Sequence, residues 1–551
     1  MTEKLKIIPL GGLHEIGKNL YVYEFGGEII VVDCGMAFPD GDMLGIDLVL
    51  PDITYLKKHH KHIKGILITH GHEDHIGSLP YVLKELDAPV YSTPLTIGLI
   101  RSKLEEAGIV KKVKLNTIQA GSIFNLGPFT IEAINVNHST PDTCAFAINT
   151  PVGTVIHTGD FKIDPTPVQG EMIDLSRFGE YGKKGVLALL SDSTNAERPG
   201  YTMSERTVGE TFDFLFKDSK QRIIVTTFAS NVHRIQQIIE SAVKFGRKVA
   251  ISGRSMENIL NLAVRLGYVS IPDGTLIDIT RINSISKNKL VIITTGSQGE
   301  TLSALYRMAF GTHRQVEIGT GDKIIISASP IPGNEKLISK VINELMHKGA
   351  DVVYERLHAL HVSGHACQEE LKIMLALTKP KYFVPIHGEI KHMRAHAKLA
   401  LSVGIPAKNI LMGENGRTIE FTSNTAKFGA RVTSGHVLID GNLGSDVGAV
   451  VLRDRRLLAE DGIVLAVMTL DTETGQLAAG PNIITRGFVY SREQDEIISE
   501  LTAHAKEAFE SATSGGIDVT AIKTAVKNRL GDVIYKKSRR KPMILPVVME
   551  I

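Results

Sequence analysis

The segment Thr69-His70-Gly71-His72-Glu73-Asp74-His75 puts three imidazoles and a carboxylate within six residues, directly after the apolar run GILIT. Imidazole and carboxylate suit zinc, and a strand end holds such a loop in a fixed place. Four ligands this close can serve two adjacent ions, His70 and His72 facing one, Asp74 and His75 the other. Two ions need further donors. His138, in INVNHSTPD, follows a strand-like run and could complete the first ion's set. Asp160, in GTVIHTGDFK, closes another apolar run, where a carboxylate could bridge both ions. Asp33, ending EIIVVD, is a candidate to orient a ligand histidine through its second ring nitrogen. The competing reading is bland: His138 and Asp160 as loop residues, Asp33 as a turn-starting aspartate, and 69–75 as a solvated loop.

These residues need elements to position them. Residues 1–35 read as short strands with glycine turns, an antiparallel hairpin. KGILITH is a strand, and IGSLPYVLKEL and LTIGLIRSKLEEAG have helical apolar spacing. Short strands recur near 122–136 and 144–157, so the first 200 residues look like an α/β sandwich whose strands are not all parallel. From about 203 to 360 the rhythm is strictly βα, which argues a parallel, doubly wound sheet. KYFVPI is then a buried strand ending at His387, followed by a polar, glycine-rich stretch over 433–448. A strand (GIVLAVMTL), helices near 492–512 and 518–530, and a last strand MILPVVMEI form a small terminal α/β domain.

The chain has 551 residues; at roughly 100–200 residues per domain this means about three domains. It is 43% apolar and 22% charged, with 62 basic against 60 acidic residues, which excludes disorder and collagen-like repeats and gives no global field toward nucleic acid. The cysteines Cys34, Cys144 and Cys367 are too scattered for a disulfide framework. With no signal-peptide pattern and no membrane-length apolar run, the cytoplasm is the expected location. GSQGE and GTGDK do not match the phosphate-binding P-loop, which argues against a nucleotide-binding protein.

His70, His72, Asp74, His75, His138 and Asp160, in this order, resemble the metallo-β-lactamase superfamily. The resemblance implies an αββα sandwich with a dinuclear zinc site at the strand ends. Asp192 in LALLSDSTN, His365 in LHVSGHACQEE and His387 in FVPIHGE are similar to the motifs of the superfamily's β-CASP nucleases. There the last histidine completes the second ion, and a doubly wound domain is inserted before it. Nearly the whole chain, from LGGLHEIGKN to RRKPMILPVVMEI, resembles the ribonuclease J family.

That resemblance implies a metallo-β-lactamase part over residues 1–205, an inserted β-CASP domain over 206–358, a return segment and linker over 359–446, and a C-terminal α/β domain over 447–551. It implies a 5′-to-3′ exoribonuclease with endonuclease activity, acting on single-stranded RNA in mRNA turnover and rRNA maturation. The implied cofactors are two Zn2+ per subunit, with Mn2+ or Mg2+ as cellular alternatives. A structural Ca2+ at Asp440 is a further implication. His365 becomes the candidate general acid, with Asp192 holding its ring and Asp74 a third catalytic candidate. The turns Phe228-Ala229-Ser230-Asn231 with His233, and His361-Val362-Ser363-Gly364-His365, become candidate contacts for nucleotide and terminal phosphate. On the residues alone both are plain strand-to-helix turns. The clusters Arg453-Asp454-Arg455-Arg456 and Lys536-Lys537-Ser538-Arg539-Arg540-Lys541 could meet phosphate or be solvated faces. A homodimer or tetramer, one with a paralogue, and an RNA-degradation complex are implied partners. Competing readings are a non-catalytic or weakly active paralogue partner, which predicts a broken metal set, a DNA-directed β-CASP nuclease, and a thioesterase.

Overall fold

The computed structural model describes residues 4–217, 219–331, 333–354, 360–441, 448–488, 494–514 and 518–551. The expected boundaries at 358/359 and 446/447, the end of RGFVY and positions 442–447 of the glycine-rich stretch lie outside the described residues. The chain divides into two compact units, residues 1–38 with 48–437 and residues 39–47 with 438–551.

In the first unit two sheets pack face to face. One has eight strands and begins with Leu5–Gly11, Leu20–Phe25 and Glu28–Val32, each antiparallel to the one before. Gly26 and Gly27, at φ 61° and 82°, make the two-residue turn between the last two; positive φ at both positions matches the twist of the flanking strands. Ile63–Leu67 then joins parallel to Glu28–Val32, aligning Val32 with Leu67. The other sheet has six strands. At one edge Gly153–His157, Val186–Asp192 and Tyr382–Ile386 run parallel, with Asp192 level with Ile386. Tyr23, Ile30 and Leu67 from the first sheet share a buried core with Phe129, Phe146 and Leu190 from the second. Helices Leu79–Glu85 and Pro94–Glu106 cover the outer face of the first sheet, and Leu175–Lys184, Gln368–Thr378 and Ile390–Ser402 that of the second. The result is the αββα sandwich.

Between Val186–Asp192 and Tyr382–Ile386 the chain makes the inserted domain. Its sheet has six strands, all parallel, in the order Leu276–Ile277, Lys248–Ser252, Leu290–Thr294, Ile223–Thr226, Lys323–Ile326, Asp351–Tyr354. Every residue of Leu290–Thr294 and Ile223–Thr226 is buried, as expected of strands covered on both faces by crossover helices.

In the second unit Ile463–Leu470 pairs antiparallel with Leu477–Arg486 and parallel with Met543–Glu550. Val464, Ala466, Met468 and Leu470 alternate inward under helices Gln494–Thr513 and Val519–Ser538. The strands Arg417–Phe421, Ala426–Arg431 and Leu477–Arg486 and the helix Ala449–Glu460 are additional to the sequence reading. Their apolar runs are too short to stand out in the sequence. Arg417–Phe421 pairs with Leu5–Gly11, tying the return segment to the first strand. Cys34, Cys144 and Cys367 are unpaired and buried.

Candidate metal centre

Four strand ends, one from the first sheet and three parallel ones from the second, meet at one place. After Ile63–Leu67 come Thr69 to His75, after Gly153–His157 comes Asp160, after Val186–Asp192 the strand's own last residue, and after Tyr382–Ile386 comes His387. The strand ends carry strain as well: Asp33 and His387 sit at φ 62° and 52°, costly for residues with a Cβ.

Three overlapping groups of donors converge: His70, His72, His138 and Asp160 in the first, Asp74, His75, Asp160 and His387 in the second, and Asp160, Asp192, His365 and His387 in the third. In the first, His72 Nδ1 lies 3.0 Å from His70 Nε2 and 3.1 Å from His138 Nε2. Asp160 Oδ2 is 3.6 Å from His70 Nε2 and 3.7 Å from His138 Nε2. In the second, His75 Nε2 is 3.3 Å from Asp160 Oδ2 and 3.6 Å from Asp74 Oδ2. His387 Nε2 is 3.4 Å from Asp160 Oδ1 and 3.6 Å from Asp74 Oδ2. Donors about 2.0–2.1 Å from a tetrahedral ion stand roughly 3.3 Å apart, so these two groups fit a cation of that size. Among the described residues Asp160 Oδ1 is buried and accepts no hydrogen bond, an arrangement that a bridging carboxylate between cations would resolve.

The opposite ring edges are held. His75 Nδ1 donates to Asp33 Oδ2 at 2.8 Å, leaving Nε2 for a ligand bond. Asp33 also accepts from Thr69 Oγ1, which stands 3.0 Å from His70 Nδ1. His138 Nδ1 donates to the carbonyl of Gly364 at 2.7 Å. A Cβ at position 364 would meet the His138 ring at 2.4 Å, so only glycine lets that carbonyl approach. Asn19, absent from the sequence reading, places its side-chain amide 3.2 Å from His75 Nε2 and 3.1 Å from His387 Nδ1. The turn GGLHEIGKN that carries it was visible, but no spacing rule links residue 19 to residue 387.

Burial pushes the His70 and His138 imidazoliums well below their usual range, helped by neighbouring rings, and takes His72 to about 4. These three are neutral at neutral pH, the state in which an imidazole can ligate a cation. Burial also opposes charge on His75 and His387, but Asp160 and Asp74 outweigh it and hold both up. Burial alone would raise Asp160; His387, His75 and His365 hold it well below the carboxylate range.

Beside the cluster, His365 Nδ1 lies 2.8 Å from Asp192 Oδ2 and 3.9 Å from Asp160 Oδ2. Burial lowers it, but Asp192 and then Asp160 win, taking it to about 9. The turn before it is built tightly. Ser363 Oγ accepts from Asn195 Nδ2 at 2.8 Å and from the His365 amide at 3.2 Å. Val362 is a core residue of the inserted domain rather than a pocket wall, so it offers a ligand only its backbone. Asn231 is likewise structural: buried, its Oδ1 accepts from the Arg234 amide and caps the helix Val232–Lys244. Phe228, Ala229 and Ser230 line a cavity of about 1030 Å³ that reaches Gly71, His72 and Glu73 on one side and Thr227, Ser255 and Ser297 on the other. His233 is buried with Nδ1 unpartnered, and burial takes it to about 4.

Asp440 pairs with the Arg455 guanidinium and belongs to no donor cluster among the described residues; residues 442–447 beside it lie outside them. Arg455 and Arg456 are held by Asp440 and Asp42. Lys537 pairs with Glu500 on an exposed face.

Residues 15–169 match the family profile described as metallo-beta-lactamase superfamily, 220–345 that of the ribonuclease J beta-CASP domain, 349–409 that of the Zn-dependent metallo-hydrolase RNA specificity domain, and 450–551 that of the ribonuclease J C-terminal domain. The chain is 44% identical to ribonuclease J2 of Bacillus subtilis (strain 168) over 552 residues, covering 100% of this chain and 99% of that protein. The chain belongs to the ribonuclease J family. Within it, ribonuclease J 1 of Streptococcus pyogenes serotype M3 is 44% identical over 98% of this chain and 97% of its own. Ribonuclease J of Synechocystis sp. is 43% identical over 99% of this chain and 86% of its own. A crystal structure of a protein of unknown function from Enterococcus faecalis V583 superposes with a TM-score of 0.55, covering 76% of this chain and 100% of that one. At 17% identity it speaks for the fold alone.

Proposed function

We propose that this chain is a ribonuclease J-type nuclease that hydrolyses single-stranded RNA with two divalent cations, zinc first among them and Mn2+ or Mg2+ as alternatives. It removes nucleotides from a 5′-monophosphate end and also cuts internally, in mRNA turnover and rRNA maturation. One observation carries the reading: two donor groups share Asp160 and are completed by His387, which returns from beyond the inserted domain. A bound pair of cations supplies Lewis acidity toward the phosphoryl oxygens and lowers the pKa of water.

The rest is done by side chains. His70, His72, His138 and Asp160 hold one cation; Asp74, His75, Asp160 and His387 hold the other. Asp33 fixes the His75 ring, and Gly364 the His138 ring. Asp74, the most exposed donor of its group, also takes a proton from the attacking water. His365 gives its Nε2 proton to the departing 3′ oxygen, Asp192 stabilising the imidazolium meanwhile. The products carry a 5′-phosphate and a 3′-hydroxyl. The turns at 228–230 and 361–365 bind the terminal nucleotide and its phosphate, supported by Lys162, Arg198 and Arg234, which set a positive surrounding for His361. Among the described residues no helix is long and apolar enough to cross a membrane. We place the enzyme in the cytoplasm, as a homodimer or tetramer, or paired with a paralogue, and within an RNA-degradation complex.

The test combines metal analysis with product analysis on labelled RNA carrying a 5′-triphosphate, monophosphate or hydroxyl, with single-stranded DNA alongside. Two ions per chain and mononucleotide release from the monophosphate end are expected. Well under two ions with no cleavage returns the chain to the role of inactive partner, and equal cleavage of DNA overturns the RNA assignment. Ser363→Ala should lose more on the 5′-monophosphate RNA than on an internally cleaved substrate; equal losses argue against an end-binding turn.

A further inference from the structure

Behind the turn at 361–365 lies a guanidinium that touches none of the reacting groups. Arg234 is wholly buried in the first turn of Val232–Lys244. Its Nε and Nη2 donate to the two carboxylate oxygens of Glu205 at 2.8 and 2.9 Å. Its Nη1 donates to the carbonyl of Ser327 at 2.9 Å and stands 3.0 Å from Nδ1 of His361. The network joins three stretches: Glu205, just before the insertion; Ser327, at the end of the strand Lys323–Ile326; and His361, on the return.

A guanidinium is always charged and only donates. His361 Nδ1 therefore has to be an acceptor, so its ring proton is on Nε2 and the ring is neutral. Among the described residues Nε2 has no hydrogen-bond partner, and the side chain is part-exposed. Burial works against a second proton, and the charges facing the ring do too: Arg234 first, then Arg198, Lys162 and His365. Glu205 neutralises Arg234 without touching the ring, so a forked carboxylate on one side and a peptide carbonyl on the other fix the guanidinium's plane.

We propose that Arg234 is a positioning residue for 5′-end recognition, holding His361 as a neutral Nε2–H donor to the terminal phosphate of RNA. The inference rests on the end-binding reading of residues 361–365. It adds that the donor is pre-set in tautomer and orientation, so its contribution does not rise and fall with pH across the neutral range. A free imidazole near its ordinary pKa of about 6.5 would gain a charge as pH falls and bind phosphate more tightly in acid.

The experiment is steady-state cleavage by the metal-loaded full chain, on one RNA with a 5′-monophosphate or a 5′-hydroxyl, from pH 6 to 8.5. Arg234→Lys keeps the charge but cannot span Glu205, Ser327 and His361 together. It should raise KM about tenfold on the monophosphate RNA, the worth of one charge-assisted hydrogen bond, with a smaller change in kcat and on the hydroxyl RNA. Equal effects on both RNAs overturn the positioning role. If Arg234→Lys does not fold, His361→Gln and His361→Asn decide. A Gln amide reaches the Nε2 position and an Asn amide the Nδ1 position, so Gln should be the less impaired on monophosphate RNA, and the reverse order overturns the proposal. If His361→Ala leaves the preference for monophosphate intact, the end-binding reading fails. If His361→Ala loses the preference and Arg234→Lys keeps it, only the Arg234 inference fails.

Discussion

The sandwich and the inserted domain are both α/β, and both bury charge, but they bury it differently. In the insertion two buried guanidiniums each face a buried carboxylate, Arg234 with Glu205 and Arg222 with Asp322, while buried Arg247 donates to peptide carbonyls. Its strand ends carry hydroxyls, at Thr226, Ser252, Thr294 and Ser327, and among its described residues only glycines take positive φ. In the sandwich six imidazoles and three carboxylates converge, and Asp33 and His387 hold left-handed backbone. Unbalanced charge and strain persist only where surrounding structure enforces them, and commonly at functional sites. The difference fits the division of labour proposed above, with the reaction in the sandwich and the insertion supplying walls and contacts.

The sharpest way to break that division is to remove the shared carboxylate. Asp160→Ala should lower kcat by about 10³-fold or more and reduce bound metal below two ions per chain, with the fold retained by circular dichroism. Near-normal cleavage would move the chemistry elsewhere. Next comes His365→Ala, expected to cost about 10²–10⁴-fold as the loss of a general acid. The pH profile adds a sign. His365 must be protonated to donate, and Asp192 holds it up to about 9. Bound cations push it back down, so the alkaline limb should lie between about 6.5 and that value. Asp192→Asn should move the limb to lower pH.

Asp33→Asn should weaken metal affinity by about 10–100-fold, measured by competition with a chelator. In the parent, affinity should rise with pH, because a cation must displace the protons that Asp160 and Asp74 hold on His75 and His387. The smallest effect is expected in the insertion. Ile224→Val, in its buried sheet, should cost about 0.5–1.5 kcal/mol in denaturant unfolding and leave kcat unchanged. A large loss of kcat there would mean that the insertion takes part in the reaction.

The loop 70–75 was legible because its donors are local: a strand end and a four-ligand spacing are both in sequence range. The parallel sheet of the insertion was legible for a similar reason, since strands buried on both faces are unbroken apolar runs. His138, Asp160 and His387 were weak signals singly and gained meaning only through the family resemblance, because their meeting depends on three non-adjacent strands of one sheet bringing their ends together. Asn19 and the Gly364 carbonyl contact had no signal at all. An amide and a peptide oxygen become partners of ligand rings only when distant turns touch, and residue type does not announce that.

Because His387 follows the insertion, the second donor group cannot close while the chain is still being synthesised through residues 206–354. A ribosome that has released only the first part of the sandwich carries His70, His72, His138 and Asp160, but neither the last imidazole nor the strand Arg417–Phe421 that backs Leu5–Gly11. Order of emergence thus acts as a safety catch: a nascent chain tethered to its own message stays short of a complete cutting centre until well over half of it is outside the tunnel.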